Sequence, residues 1–174
     1  MEEFLRVHFL VTGLGWAGSG AMLAVMFGGI GSAGGIRTAV SQAAGVLSEK
    51  PELFGRLLVL MAMPGTQGFY GFICAITIAM RIGLIEGTVD VTPLAGMGLF
   101  FTGLTTGIVL WRSALWQGEA AAAAISLTAK RPEEGGRAIL MPALVETYAV
   151  VALLASILMI MWLTKTGGIT IVTP

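Results

Sequence analysis

The sequence predicts an all-α membrane protein, with four transmembrane helices arranged as two tandem helical hairpins. Three observations carry that prediction. Of 174 residues, 56% are apolar and 11% are charged, where ordinary soluble domains carry roughly 25% charge. The apolar residues gather in four stretches near the ~20 residues that a helix needs to cross a bilayer. Those stretches are continuous rather than alternating, which argues against a β-barrel.

Composition also removes several function classes. Lys+Arg and Asp+Glu number 10 each, so no net charge draws the chain to nucleic-acid phosphate. A single cysteine, Cys74, allows no internal disulfide and no cysteine-based metal cluster. A single histidine, His8, argues against a histidine-rich metal site or a Ser/His/Asp triad. Both are expected in plain roles: Cys74 as a small apolar side chain, His8 near an outer interface. The 25 glycines are many for helices in water but suit closely packed membrane helices.

The first span runs from Phe9 to about Ile36. Its start lacks a basic region and a polar cleavage boundary, so it reads as a retained helix rather than a signal peptide. The glycines from Gly28 to Gly35 form a small-residue stripe suited to close helix packing. With no preceding strand and no Gly-Lys-Ser/Thr, they do not read as a nucleotide loop. The second span is Leu57 to Met80, the third Leu94 to about Trp111, and the fourth Ile139 to Leu163. The Ala-rich flanks Ser41–Val46 and Ala120–Leu127 favour helix, so the first and third helices are expected to extend past the membrane.

Polar links join the spans in pairs, Ser48-Glu49-Lys50-Pro51-Glu52 and Lys130-Arg131-Pro132-Glu133-Glu134-Gly135-Gly136. Six cations lie near them: Arg37, Lys50, Arg56, Lys130, Arg131 and Arg137. By the positive-inside rule both links are cytoplasmic and both termini lie outside. An outer loop, Gly83–Pro93, joins the hairpins. The expected division is 1–85, a hairpin without an ion-carrying carboxylate, and 86–174, which carries Glu146. A shift of 81 residues places Pro51-Glu52 on Pro132-Glu133, Gly55-Arg56 on Gly136-Arg137 and Thr66 on Thr147. Both hairpins enter from one side, so the repeat is parallel. It breaks where Glu146 falls on Gly65.

Glu146 stands inside the apolar run of the fourth span. An ionised side chain at the bilayer centre costs at least ~2.5 kcal/mol, which makes it a functional candidate. Thr66 and Gln67 lie 15 and 16 residues beyond Pro51, Gln117 lies 16 before Glu133, and Glu146 lies 13 after it. At ~1.5 Å per residue all four sit roughly 20–24 Å from the links. One carboxylate, one hydroxyl and two amide oxygens at one depth suit a small hard cation. Interhelical hydrogen bonding without an ion would use the same groups. Pro64 opens the helix nearby, so the carbonyl of Met63 or a neighbour can face the ion. Tyr70 shares a face with Thr66 and can donate to Glu146.

These residues carry a family likeness. The chain resembles the proteolipid subunit (K, or c) of V-type and V/A-type rotary ATPases. The likeness spans nearly the whole chain. It is strongest at Pro64-Gly65-Thr66-Gln67-Gly68-Phe69-Tyr70-Gly71 and Leu144-Val145-Glu146-Thr147-Tyr148-Ala149. Gly29-Ile30-Gly31-Ser32-Ala33, Phe101-Thr102-Gly103-Leu104 and Gln117-Gly118 support it. A duplicated hairpin with one surviving carboxylate is that family's arrangement.

The resemblance implies subunits assembling into a ring in a bacterial or archaeal cell membrane. The ring would turn in lipid against a stator subunit bearing a cationic residue, with a central-stalk subunit on the cytoplasmic links. It implies Glu146 as the ion carrier. Thr66, Gln67, Gln117 and the Met63 carbonyl would complete a sodium site, with Tyr70 steadying the glutamate. A proton is the alternative ion. Arg112, between Trp111 and Trp116, departs from the family pattern, and a pairing with Glu146 would remove the sodium site. Glu119 is a second possible partner or a carboxylate facing the ring's interior. The chain has no nucleotide site of its own, so the resemblance implies a transport component. Two other readings use the same features: a small stand-alone secondary transporter and a structural proteolipid.

Overall fold

In the computed structural model, residues 1–165 are described. Four long helices dominate: α1 (Leu14–Glu49), α2 (Pro51–Arg81), α3 (Pro93–Lys130) and α4 (Pro132–Leu163), each apolar and long enough to cross a membrane. At ~1.5 Å per residue, the 36 residues of α1 and 38 of α3 exceed a ~30 Å hydrocarbon core. Their Ala-rich ends run on to the links, as the helix propensity of those stretches requires.

The first helix starts later than the hydropathy pattern suggests. A short helix, Glu2–Leu5, passes into a π-helical turn, Arg6–Val11. There His8 Nδ1 lies 2.8 Å from the Phe4 carbonyl oxygen and its ring stacks on Phe4. The chain then breaks at Gly13, whose φ is +65°. A Cβ at Gly13 would overlap the Thr92 carbonyl oxygen. The start of α3 therefore presses on this point, a tertiary cause that hydropathy does not contain.

The outer loop between α2 and α3 turns at Gly83 and Gly87, both with φ +73°. Thr92 then caps α3, its Oγ1 accepting from the Ala95 N–H at 3.3 Å, with Pro93 as the first helical residue. At the opposite end, Lys50 Nζ donates to the Ala129 carbonyl at 2.6 Å and Arg56 to the Pro132 carbonyl at 2.6 Å. Cations from one link thus satisfy carbonyls at the end of α3 and in the other link.

Glycines set the packing. A Cβ on Gly103 would overlap the Gly20 carbonyl oxygen, and one on Gly118 would overlap that of Gly35. Any side chain there would force α1 and α3 apart. The matched positions climb together along both helices, so α1 and α3 run parallel, backbone against backbone. α2 packs antiparallel on α1, with Gly28 opposite Gln67 and Gly71 opposite Ala24. α4 packs along α3.

The buried apolar side chains form two clusters. One, towards the outer loop, includes Ala17, Ala24, Cys74, Ile78, Leu99 and Ile160. The other, towards the links, includes Ala39, Ala43, Leu57, Leu60, Ile125 and Ala138. Between them lies a layer of buried polar residues: Ser32, Gln67, Ser113 and Gln117.

Candidate functional site

Each helix delivers its residue to this polar layer for a local reason. In α2, Pro64 lacks the N–H of a regular helical bond. The chain answers with a 3-10 turn over Met63–Gly65, then resumes as α-helix at Thr66. Tightening the turn gives the Met63 carbonyl two donors from Thr66, the backbone N–H and the Oγ1 hydroxyl at 3.2 Å. The carbonyl is therefore turned towards Thr66 rather than left without a donor. α4 is interrupted in a similar way, at Ile139, three residues before Pro142 and two turns ahead of Glu146.

The side chains form one connected set. Tyr70 Oη donates to Glu146 Oε1 at 2.7 Å. Gln117 Nε2 donates to Glu146 Oε2 at 3.3 Å. Gln67 Nε2 donates to Gln117 Oε1, and Thr66 Oγ1 lies 3.4 Å from Gln67 Oε1. Met63, Thr66, Gln67, Gln117 and Glu146 thus present a row of oxygens from three helices. Gln67 and Gln117 are fully buried, while Glu146, Tyr70 and Thr66 are half-buried. Both carboxylate oxygens of Glu146 accept a hydrogen bond. Phe69, Leu144, Tyr148 and Val151 are exposed around it. The site thus lies just beneath the apolar surface of α2 and α4.

Two participants are missing from the sequence reading. Ser113 Oγ accepts from Gln67 Nε2 at 3.4 Å and donates to the Val145 carbonyl at 3.5 Å. Its signal was available, since it precedes Gln117 by one helical turn. Ser32 Oγ accepts from the Gly68 N–H at 2.8 Å, which ties α1 to the helix carrying Gln67. It was hidden inside the glycine stripe. Among the described residues every buried side-chain nitrogen and oxygen has a partner.

Arg112 does not enter the site. It is exposed, and its guanidinium lies 4.8 Å from the centre of the Trp116 ring. Glu119 is exposed too. Among the described residues the ion pair is that of Arg137 and Glu134, at 3.3 Å. No cluster of three or more His, Cys, Asp or Glu occurs among them.

Similarity to known proteins agrees with this architecture. The ATP synthase C-subunit family matches the chain twice, over residues 19–78 and 100–159. The two matches are displaced by the 81 residues that carry Pro51 onto Pro132. The chain is 39% identical over 140 residues to the V-type sodium ATPase subunit K of Enterococcus hirae, covering 79% of this chain and 85% of that protein. It is 37% identical over 146 residues to the A-type ATP synthase subunit K of Methanocaldococcus jannaschii, covering 84% of this chain and 62% of that one. With four apolar helices and two matches to a single family on one polypeptide, the chain belongs to the ATP synthase C-subunit family, the membrane proteolipids of rotary ATPases.

Proposed function

We propose that this protein is the rotor-ring subunit of a V/A-type ATPase or ATP synthase and that it carries sodium ions on Glu146. The observation that carries the proposal is the carboxylate itself: one ionisable group at the polar layer, held by Tyr70 and Gln117 beside the oxygens of Gln67, Thr66 and Met63. Glutamate, amide, hydroxyl and carbonyl oxygens are the ligands a hard cation prefers. The relative from Enterococcus hirae is named as a sodium ATPase subunit, which favours the same ion here.

The physical logic is charge neutralisation. An empty, ionised Glu146 faces lipid at a cost of several kcal/mol; a loaded one does not. Rotation in lipid therefore favours loaded sites. At a stator subunit, a cationic residue and an aqueous path would favour the ionised form and release the ion. Each ion crossing ~100 mV contributes about 2.3 kcal/mol, so the ring must combine several ions for each ATP. The links, with Lys50, Arg56 and their proline turns, are the natural seat of the central stalk.

A proton is the second reading, since protonation neutralises the same carboxylate. Dicyclohexylcarbodiimide separates the two, because it attacks a protonated carboxyl in an apolar setting. Sodium is expected to protect Glu146 in the purified protein, less so as pH falls. Labelling that follows pH but ignores sodium would assign the proton. No labelling under any condition would sink the ion-carrier reading.

A further inference from the structure

Two charged side chains on the glycine-packed helices have no part in the site. Arg37 is the single cation within α1, and Glu119 is the single carboxylate within α3. Both are exposed on the subunit, and among the described residues neither is in an ion pair. Although Arg37 lies just beyond the first apolar span, the packing sets both near the level of Gln117: Arg37 is 13 residues before Lys50, and Glu119 is 11 before Lys130 and two after Gln117. A charge at such a depth needs a partner.

Their heights match. Gly35 lies level with Ala114 and Gly118, because Cβ atoms built on Gly35 and Gly118 would touch the Ala114 and Gly35 carbonyls respectively. Arg37 is two residues past Gly35 and Glu119 one past Gly118, so parallel helices hold them at nearly one level. Their directions match as well. At 3.6 residues per turn, Arg37 is about 200° round α1 from Gly35, and Glu119 is about 140° round α3 from Ala114. Each therefore points away from the seam between α1 and α3, on opposite flanks of the subunit. Arg112 shares the face of Glu119 but lies seven residues away, about 10 Å along the axis. There it already packs on Trp116.

Identical copies arranged head to tail bring unlike flanks together. The free flank of α3 in one copy meets the free flank of α1 in the next. We infer that Arg37 of each subunit forms an ion pair with Glu119 of the adjacent copy, where the free flank of α1 meets that of α3. The inference rests on the ring reading. It gives that interface a polar latch, which neutralises both charges only when the neighbour is present and in register. The occupant it requires is a second copy of this chain.

Charge reversal tests it on the purified full-length protein. Arg37→Glu and Glu119→Arg, each alone, place like charges together and are expected to lose the ring in favour of monomer at detergent levels that spare the wild type. The double variant restores opposite charges and is expected to recover the ring. Native mass spectrometry or a detergent-resistant gel band reads the result. Single reversals that leave the ring intact, or a double variant no better than the singles, would overturn the pairing. A second measurement covers variants that fold poorly. In a Cys74→Ala background, Arg37→Cys with Glu119→Cys should oxidise to a ladder of dimers, trimers and higher species. Monomer alone from a ring-forming protein rejects the contact. A wild-type protein that never forms a ring overturns the ring reading itself, and the pairing with it.

Discussion

At the residue scale the central object is the Glu146 carboxylate and its two donors. Replacing Glu146 by Gln keeps the shape and removes the ionisable group. Carbodiimide labelling and ion transport by the assembled enzyme should both be lost. Tyr70→Phe removes one charge-assisted hydrogen bond, worth roughly 1.5–3 kcal/mol. That corresponds to about a tenfold or greater loss in apparent sodium affinity, read as the sodium concentration that half-protects Glu146 from the reagent. Arg112→Ala should leave this concentration unchanged, because Arg112 lies on Trp116 and not in the site. An affinity change there would return Arg112 to the role the sequence left open. Gln67 and Glu146 could be read from the sequence because each is a polar group in an apolar span, and Gln117 because its distance from the links matches theirs. Ser113 escaped because a serine in a membrane helix also bonds its own backbone without consequence.

At the element scale the glycine seam between α1 and α3 decides whether the helices meet. Gly103→Leu would thrust a side chain at the Gly20 carbonyl, where even a Cβ has no room. The overpacking should destabilise the fold by about 1–3 kcal/mol, seen as a lower thermal midpoint in detergent. Gly55→Ala is the matched control, since nothing lies within 4 Å of its Cβ position. It should be neutral or slightly stabilising, because helical Gly to Ala favours the helix by ~0.5–1 kcal/mol. The long helices were legible from their apolar and Ala-rich runs. The break at Gly13 was not, because its cause is the Thr92 carbonyl at the start of another helix.

At the scale of the whole molecule, sidedness and ion binding give two further expectations. A cysteine at Ser48, in a Cys74→Ala background, should react only with reagent on the cytoplasmic side, as the cations around the links require. Labelling from outside would invert the topology. Sodium binding to the folded site alone should also stabilise it. At 100 times the dissociation constant the gain is about 2.7 kcal/mol, and Glu146→Gln should abolish it. A sodium-independent midpoint in the wild type would favour the proton.

The sequence by itself determined the number of membrane helices, their pairing by short links, the repeat, and the depth at which polar groups occur. These are one-dimensional properties: length, hydropathy and spacing count along a single helix, and a residue's height follows from its rise. The tertiary structure decided which faces meet. It set α1 against α3 through Gly20, Gly103, Gly35 and Gly118, split the apolar core in two, and closed Gln67, Gln117, Tyr70 and Glu146 into one network. It also turned Arg112 aside onto Trp116. Rotation about a helix axis depends on its neighbours, and steric contact between backbones fixes it in a way that no count along the chain contains.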